Sequence, residues 1–240
     1  MRSSALLVLL AGCDVVAGVE IERAPCDAGS FADVATSDLV AATGFSLSWD
    51  RDLIVYLTDT GAFQQRLPGG DAIAIDLGIY DVGEPALAPE GDALFYTQQI
   101  EPPLVVAALR AGTSWTFDGV APAGSFAGTP SSPEFGPRRV LVRVAMGGAV
   151  QEYEQDGNAW VPVGALQAVD STIAPNLTPS GLDMVFASRD GVLVAHRASV
   201  DEWFGEPLLI QPGEHQFPQL LDRCRELYTL DQLVVRRYAR

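Results

Sequence analysis

Few side chains in this 240-residue chain can do chemistry near neutral pH. It has two histidines, His196 and His215, and three cysteines, Cys13, Cys26 and Cys224, beside 31 acidic residues. A hydrolytic nucleophile needs a base beside it. The nearest approach to a nucleophile elbow, Gly124-Ser125-Phe126-Ala127-Gly128, has its serine one place early and no strand-to-helix setting. His196 alternates with Val194 along an apolar run and reads as structural, whereas His215 lies in the loop Gly213-Glu214-His215-Gln216. Two histidines and no CxxC pair make a zinc centre an unpromising reading. No glycine-rich phosphate loop follows a strand and opens a helix. On these grounds no catalytic, cofactor-binding or metal-binding residue is assigned, and no cofactor is expected.

The elements that would position any site come from a motif that recurs five times. Pro85-Ala86-Leu87-Ala88-Pro89-Glu90-Gly91-Asp92-Ala93-Leu94-Phe95-Tyr96 is echoed by Pro175-Asn176-Leu177-Thr178-Pro179-Ser180-Gly181-Leu182-Asp183-Met184-Val185-Phe186. Looser copies start at Phe45, Pro130 and Pro218, so successive starts lie 40, 45, 45 and 43 residues apart. Each copy has an extended segment, a turn where glycine tolerates positive φ, and a short β-rich run such as Leu53-Ile54-Val55-Tyr56. A third run follows, and then a stretch led by Trp115, Trp160 or Trp203, at 30, 30 and 28 residues from the repeat starts. Four short strands per unit of this length is the make-up of a propeller blade.

The chain ends predict how such a ring closes. The last copy stops after its third strand, while Phe31-Ala32-Asp33-Val34-Ala35-Thr36 precedes the first copy as an orphan fourth strand, with Phe31 in the tryptophan's place. Lending it to the last blade would cover an exposed edge. The expectation is an all-β propeller of five four-stranded blades over residues 31–240; residues 14–44 are too few for a sixth. The P-x-L-x-P-x-G-x-x-L-x-F pattern resembles the WD40-like (PD40) repeat of TolB-type propellers, although Trp49 stands where that motif prefers proline. The resemblance implies protein–protein contact in the periplasm.

Glycosidase chemistry, the enzyme class most often compatible with five blades, needs carboxylates converging on a sugar. The inner segments FSLSW, PALA, PSS, PNLT and PQLL contain no acid, and the sialidase Asp-box is absent. Acids occur in the loops just before them, at Asp81, Glu84, Asp170 and Glu214, which with His215 form a candidate ligand mouth.

Arg2, the apolar Ala5–Leu10 and then Leu10-Ala11-Gly12-Cys13 resemble a bacterial lipoprotein signal. The resemblance implies a signal peptide over 1–12, cleavage before Cys13, acylation of its sulfur and amino terminus, and a tether over 13–30. Asp14 resembles an inner-membrane retention signal, and the leaflet stays open. In an oxidising compartment Cys26 and Cys224 are expected to pair. A net charge of −16, with 15 arginines and no lysine, argues against nucleic-acid binding. The leading expectation is a non-catalytic, lipid-anchored envelope propeller that binds or scaffolds a protein. The alternative is a polysaccharide-binding or carbohydrate-active protein using the acidic mouth; a third reading is a purely structural envelope component.

Overall fold

The structure, a computed structural model, describes residues 31–36, 42–77, 82–98, 103–120, 126–133, 136–144, 149–169, 175–221 and 224–240. Cys13, Cys26, Asp81 and Asp170 lie outside the described residues. Every regular element among those described is a β-strand, and the strands form five four-stranded antiparallel sheets.

Blade 1 holds β2 (Gly44–Leu47), β3 (Leu53–Thr58), β4 (Gly61–Arg66) and β5 (Ala72–Ile75). Blade 2 holds β6 (Val82–Leu87), β7 (Ala93–Gln98), β8 (Leu104–Ala111) and β9 (Ser114–Val120). Blade 3 holds β10 (Phe126–Ala127), β11 (Arg139–Arg143), β12 (Ala149–Asp156) and β13 (Ala159–Ala168). Blade 4 holds β14 (Asn176–Leu177), β15 (Asp183–Ala187), β16 (Gly191–His196) and β17 (Leu208–Pro212). Blade 5 holds β18 (Gln216–Leu221), β19 (Glu226–Asp231), β20 (Val234–Ala239) and, last, β1 (Ala32–Thr36). The ring is a five-bladed propeller whose final blade is completed by the first strand.

The short apolar runs make sense once each blade is seen to be covered on both faces. Along β3, Leu53, Val55 and Leu57 pack toward blade 2, while Ile54 and Tyr56 pack toward blade 5. A strand sends alternate side chains to opposite faces, so a sheet buried on both sides reads as a continuous apolar run. The core is accordingly five wedges, one at each junction between neighbouring blades. Each fully buried Leu, Ile or Val contributes roughly 1.5–3 kcal/mol relative to exposure. Gly91 and Gly181 make the first hairpin turns of their blades at φ 71° and 73°.

Closure follows the predicted route. β1 pairs antiparallel with β20, Ala32 opposite Ala239, and the Phe31 ring is buried at the junction of blades 4 and 5. The Arg240 guanidinium stacks 4.3 Å from the Phe31 ring centroid. A similar Arg–aromatic latch occurs as Arg110 over Trp115 and Arg197 over Phe204, in each case joining the end of the third strand to the segment that leads into or opens the fourth.

Two sequence expectations need correction. In blade 3 the inner strand comes three residues earlier than the Pro130 start implies: Gly128 bonds Leu141 as Ala86 faces Phe95. Pro130 has no N–H to give, and Ser131 bonds Arg139 instead, so the hairpin is longer than its counterparts. In blade 4 the aromatic position belongs to Phe204 rather than Trp203. Phe204 is buried against blade 3, whereas Trp203 is 56% exposed. The connection between third and fourth strands is longer in blade 4 (197–207) than in blade 2 (112–113), and Phe204 follows Arg197 by seven places where Trp115 follows Arg110 by five.

Candidate functional site

The ring axis is where the five inner strands meet, and side chains close it. Gln219 of β18 accepts a hydrogen bond at Oε1 from the Leu47 amide (2.9 Å), and its Nε2 donates to Ser46 Oγ (2.7 Å) and Thr129 Oγ1 (2.9 Å). Ser46 Oγ also accepts the Leu87 amide at 2.8 Å. Asn176 accepts the Thr129 amide at 2.6 Å and donates to the Pro218 carbonyl at 2.7 Å. Every blade thus contributes to one buried polar network. Such a network is stabilising because its members are satisfied within it.

Among the described residues one small cavity lies on the axis. At the end where the inner strands exit, a cavity of about 10 Å³ lies among Trp49, Pro89, Pro179, Gln219 and Leu221, room for about one water. At the entry end, a Cβ on Gly44 would come within 3.2 Å of Pro85 and 3.3 Å of the Phe217 ring. Glycine there lets three blades converge.

Of the five residues of the expected acidic mouth, three are described. Glu84 lies in the bulge of β6 at φ 42°, and Glu214 is exposed just before β18. Phe217, at the matching bulge of β18 and likewise before a proline, has φ 50°. The backbone of Glu84 is therefore a property of the repeat. His215 is buried: Nε2–H donates to the Pro212 carbonyl (3.1 Å), Nδ1 accepts from Thr229 Oγ1 (3.2 Å), and the ring packs edge-on to Tyr238. Both ring nitrogens are used within blades 4 and 5. His196 pairs across the strands with Asp183, Nδ1–H to Oδ1 at 2.9 Å. Among the described residues no group of three or more His, Cys, Asp and Glu is arranged to hold a metal ion.

Charges gather instead at blade junctions. Glu226 takes Arg51 of blade 1 at 2.6 Å, Arg237 of its own blade, and the Tyr228 hydroxyl. Burial alone would push its carboxyl up, but the hydrogen bonds and charges of Arg51 and Arg237 hold it below the usual carboxylate range. Arg138 of blade 3 reaches Glu90 and Asp92 of blade 2.

A recess between blades 3 and 4 was not anticipated from sequence. A groove of about 350 Å³ is walled by β12 and β13 on one side and by Val200, Asp201, Glu202 and Trp203 on the other. Arg197, 1% exposed in its side chain, is bound by both oxygens of Glu152 at 2.7 and 2.8 Å. Arg139 bonds Glu154 (2.7 Å), Asp201 (3.0 Å) and the Val200 carbonyl, which ties the long blade 4 connection to blade 3. Opposite Gln151, β13 bulges at Gly164 (φ 68°), a local widening of the kind found beside functional sites. The available signal was Glu152 and Glu154, two places apart and so on one face of a strand, followed by the off-register Asp201-Glu202-Trp203.

No protein-family model matches the sequence, and a sequence search of curated proteins finds no match. Solved structures do resemble the fold. A gluconolactonase from Xanthomonas campestris superposes with TM-score 0.54 at 12% identity, covering 82% of this chain and 71% of that one. A functionally unknown protein from Desulfotomaculum acetoxidans gives 0.50 at 17% identity, covering 79% and 65%. TolB from Acinetobacter baumannii gives 0.48 at 14% identity, covering 84% of this chain; the chain spans 55% of that protein's length. At these identities the likeness shows a shared β-propeller scaffold and nothing about activity.

Proposed function

We propose that this chain is a non-catalytic binding or scaffolding propeller of the bacterial cell envelope, anchored by acyl chains on Cys13. The observation that carries the binding reading is the Gln219-centred network. A propeller whose axis is filled by its own hydrogen-bonded side chains receives partners on its faces and blade junctions rather than in a central cavity. The anchor and the location rest on the lipoprotein-like segment ending at Cys13 and on the tether to residue 30; multiple acyl chains would give stable membrane attachment. Pairing of Cys26 with Cys224 belongs to the same reading. Cys224 sits in the first turn of blade 5, next to the core wedge that Phe31 enters, so a bond there would reinforce ring closure.

The test is crosslinking and capture of the anchored protein from native envelopes, against an unrelated lipoprotein as control. A reproducible, near-stoichiometric protein partner is expected. If only glycans are recovered, the reading fails in favour of carbohydrate binding at the entry mouth near Glu84 and Glu214.

A further inference from the structure

We infer that the groove between blades 3 and 4 receives a basic side chain, arginine above all, from a segment of a partner protein. The inference rests on the binding-module reading and names the chemistry of its partner. The groove holds four carboxylates (Glu152, Glu154, Asp201 and Glu202) and two guanidiniums (Arg139 and Arg197). Both arginines are committed to internal carboxylates, so the groove has two more negative charges than positive ones and no cation left for an acidic ligand.

An ionised carboxylate accepts several hydrogen bonds. Glu154 uses Oε2 and Asp201 uses Oδ1 toward Arg139, so each carboxylate keeps a second oxygen that can accept a further hydrogen bond. Trp203, half-exposed, lines the same groove. An aromatic face next to carboxylates is the arrangement that holds a guanidinium, by stacking and by paired hydrogen bonds. The wall that brings these groups in is the connection 197–207, far longer than the two-residue 112–113 of blade 2, and Arg139 holds it in place before any partner arrives. A recess that joins an aromatic anchor to charge complementarity is where interface energy concentrates. The net charge of −16 favours a basic partner over long range as well.

The experiment measures binding of acetyl-Gly-Arg-Gly-amide by calorimetry and by tryptophan fluorescence. The comparison probes are the Gln and Glu versions of the peptide and a neutral trisaccharide. The Arg peptide should bind in preference to all three, and should weaken several-fold between about 20 mM and about 500 mM salt. Asp201→Asn combined with Glu202→Gln should reduce affinity about tenfold, and Trp203→Ala about fivefold, whereas Asp190→Asn, on a different turn, should change nothing. Trisaccharide binding without Arg-peptide binding would overturn the inference, as would Arg-peptide binding that ignores these substitutions. A partner captured from envelopes equally well by the Asp201→Asn/Glu202→Gln protein would overturn the groove and leave the binding module standing. Absence of any protein partner for the unaltered chain would count against the module itself.

Discussion

Gln219 of blade 5 donates to Thr129 of blade 3 at 2.9 Å, although the two blades are not neighbours in the ring. The bond crosses the axis. Through its other contacts Gln219 also holds Ser46 and Leu47 of blade 1, so one amide side chain connects three of the five blades. Its loss would leave a buried amide and two buried hydroxyls short of partners.

Gln219→Leu should therefore destabilise the ring by about 2–4 kcal/mol, since each buried polar group left unsatisfied costs roughly 1–3 kcal/mol. Urea denaturation followed by tryptophan fluorescence measures this. A change below about 0.5 kcal/mol, the scale of an ordinary surface substitution, would contradict the hub role.

Gly128 is a matter of space. A Cβ built there would lie 1.7 Å from the Pro175 carbonyl oxygen in blade 4. Gly128→Ala is expected to cost 3 kcal/mol or more, above the ~1–3 kcal/mol usual for overpacking, because the obstacle is backbone. Gly157→Ala is the control: it has φ 59° and no atom within 4 Å of the added carbon. Its cost is limited to about 1–2 kcal/mol of left-handed backbone strain. Equal losses in the two variants would refute the close-approach argument.

Acid should loosen the junction of blades 5 and 1. The Glu226 carboxyl is held below its ordinary value of 4.5 by Arg51 and Arg237, against the opposing effect of burial. Above that value the carboxylate is ionised in both folded and unfolded chains, and its full stabilisation is present. As pH falls below it the unfolded chain takes up the proton first, and the contribution is lost progressively as pH passes through the folded value. Stability measured from pH 7 down to about 3 should decline in the unaltered protein. Glu226→Gln should start lower and lack that part of the decline; parallel curves would remove the assignment.

Ring closure is tested by truncation under reducing conditions. A soluble form beginning at residue 31 should melt close to one beginning at residue 14, whereas a form beginning at residue 37 loses β1 and the Phe31–Arg240 latch. A large drop in Tm is expected only for the last. Phe31→Ala alone should cost about 3–5 kcal/mol, as for other buried aromatic truncations. Unchanged melting on loss of β1 would mean that the strand does not close the ring in solution.

The cysteine pairing has a mass signature. A soluble form beginning after Cys13 should be about two mass units lighter without reductant than with it, one disulfide being two hydrogens. It should also show no reactive thiol under denaturing, non-reducing conditions. Two titratable thiols would exclude a Cys26–Cys224 bond.

Blade number and closure were legible because both depend on period and alternation. The spacing of Pro85 and Pro175, their glycine turns and the apolar runs at Leu94 and Met184 are local signals. They require only that each sheet be covered on both faces. The orphan strand at Phe31 was legible for the same reason, by counting strands per blade. Where local signals mislead, a local cause is visible: Pro130 cannot donate to its hairpin, and the long connection 197–207 puts Phe204 in the position that the repeat spacing gives to Trp203.

The charged groove and the axial network were decided by tertiary structure alone. Glu152 and Arg197 are 45 residues apart, and Gln219 and Ser46 are 173 apart. Which of 31 acids meets which of 15 arginines depends on how neighbouring blades are placed in the ring, and no periodicity encodes that. Sequence determined the wedge-shaped units and how many there are, because burial of alternate side chains is a nearest-neighbour property along a strand. The tertiary structure decided what the junctions between those units contain, because hydrogen bonds and ion pairs are set by distance and direction across them.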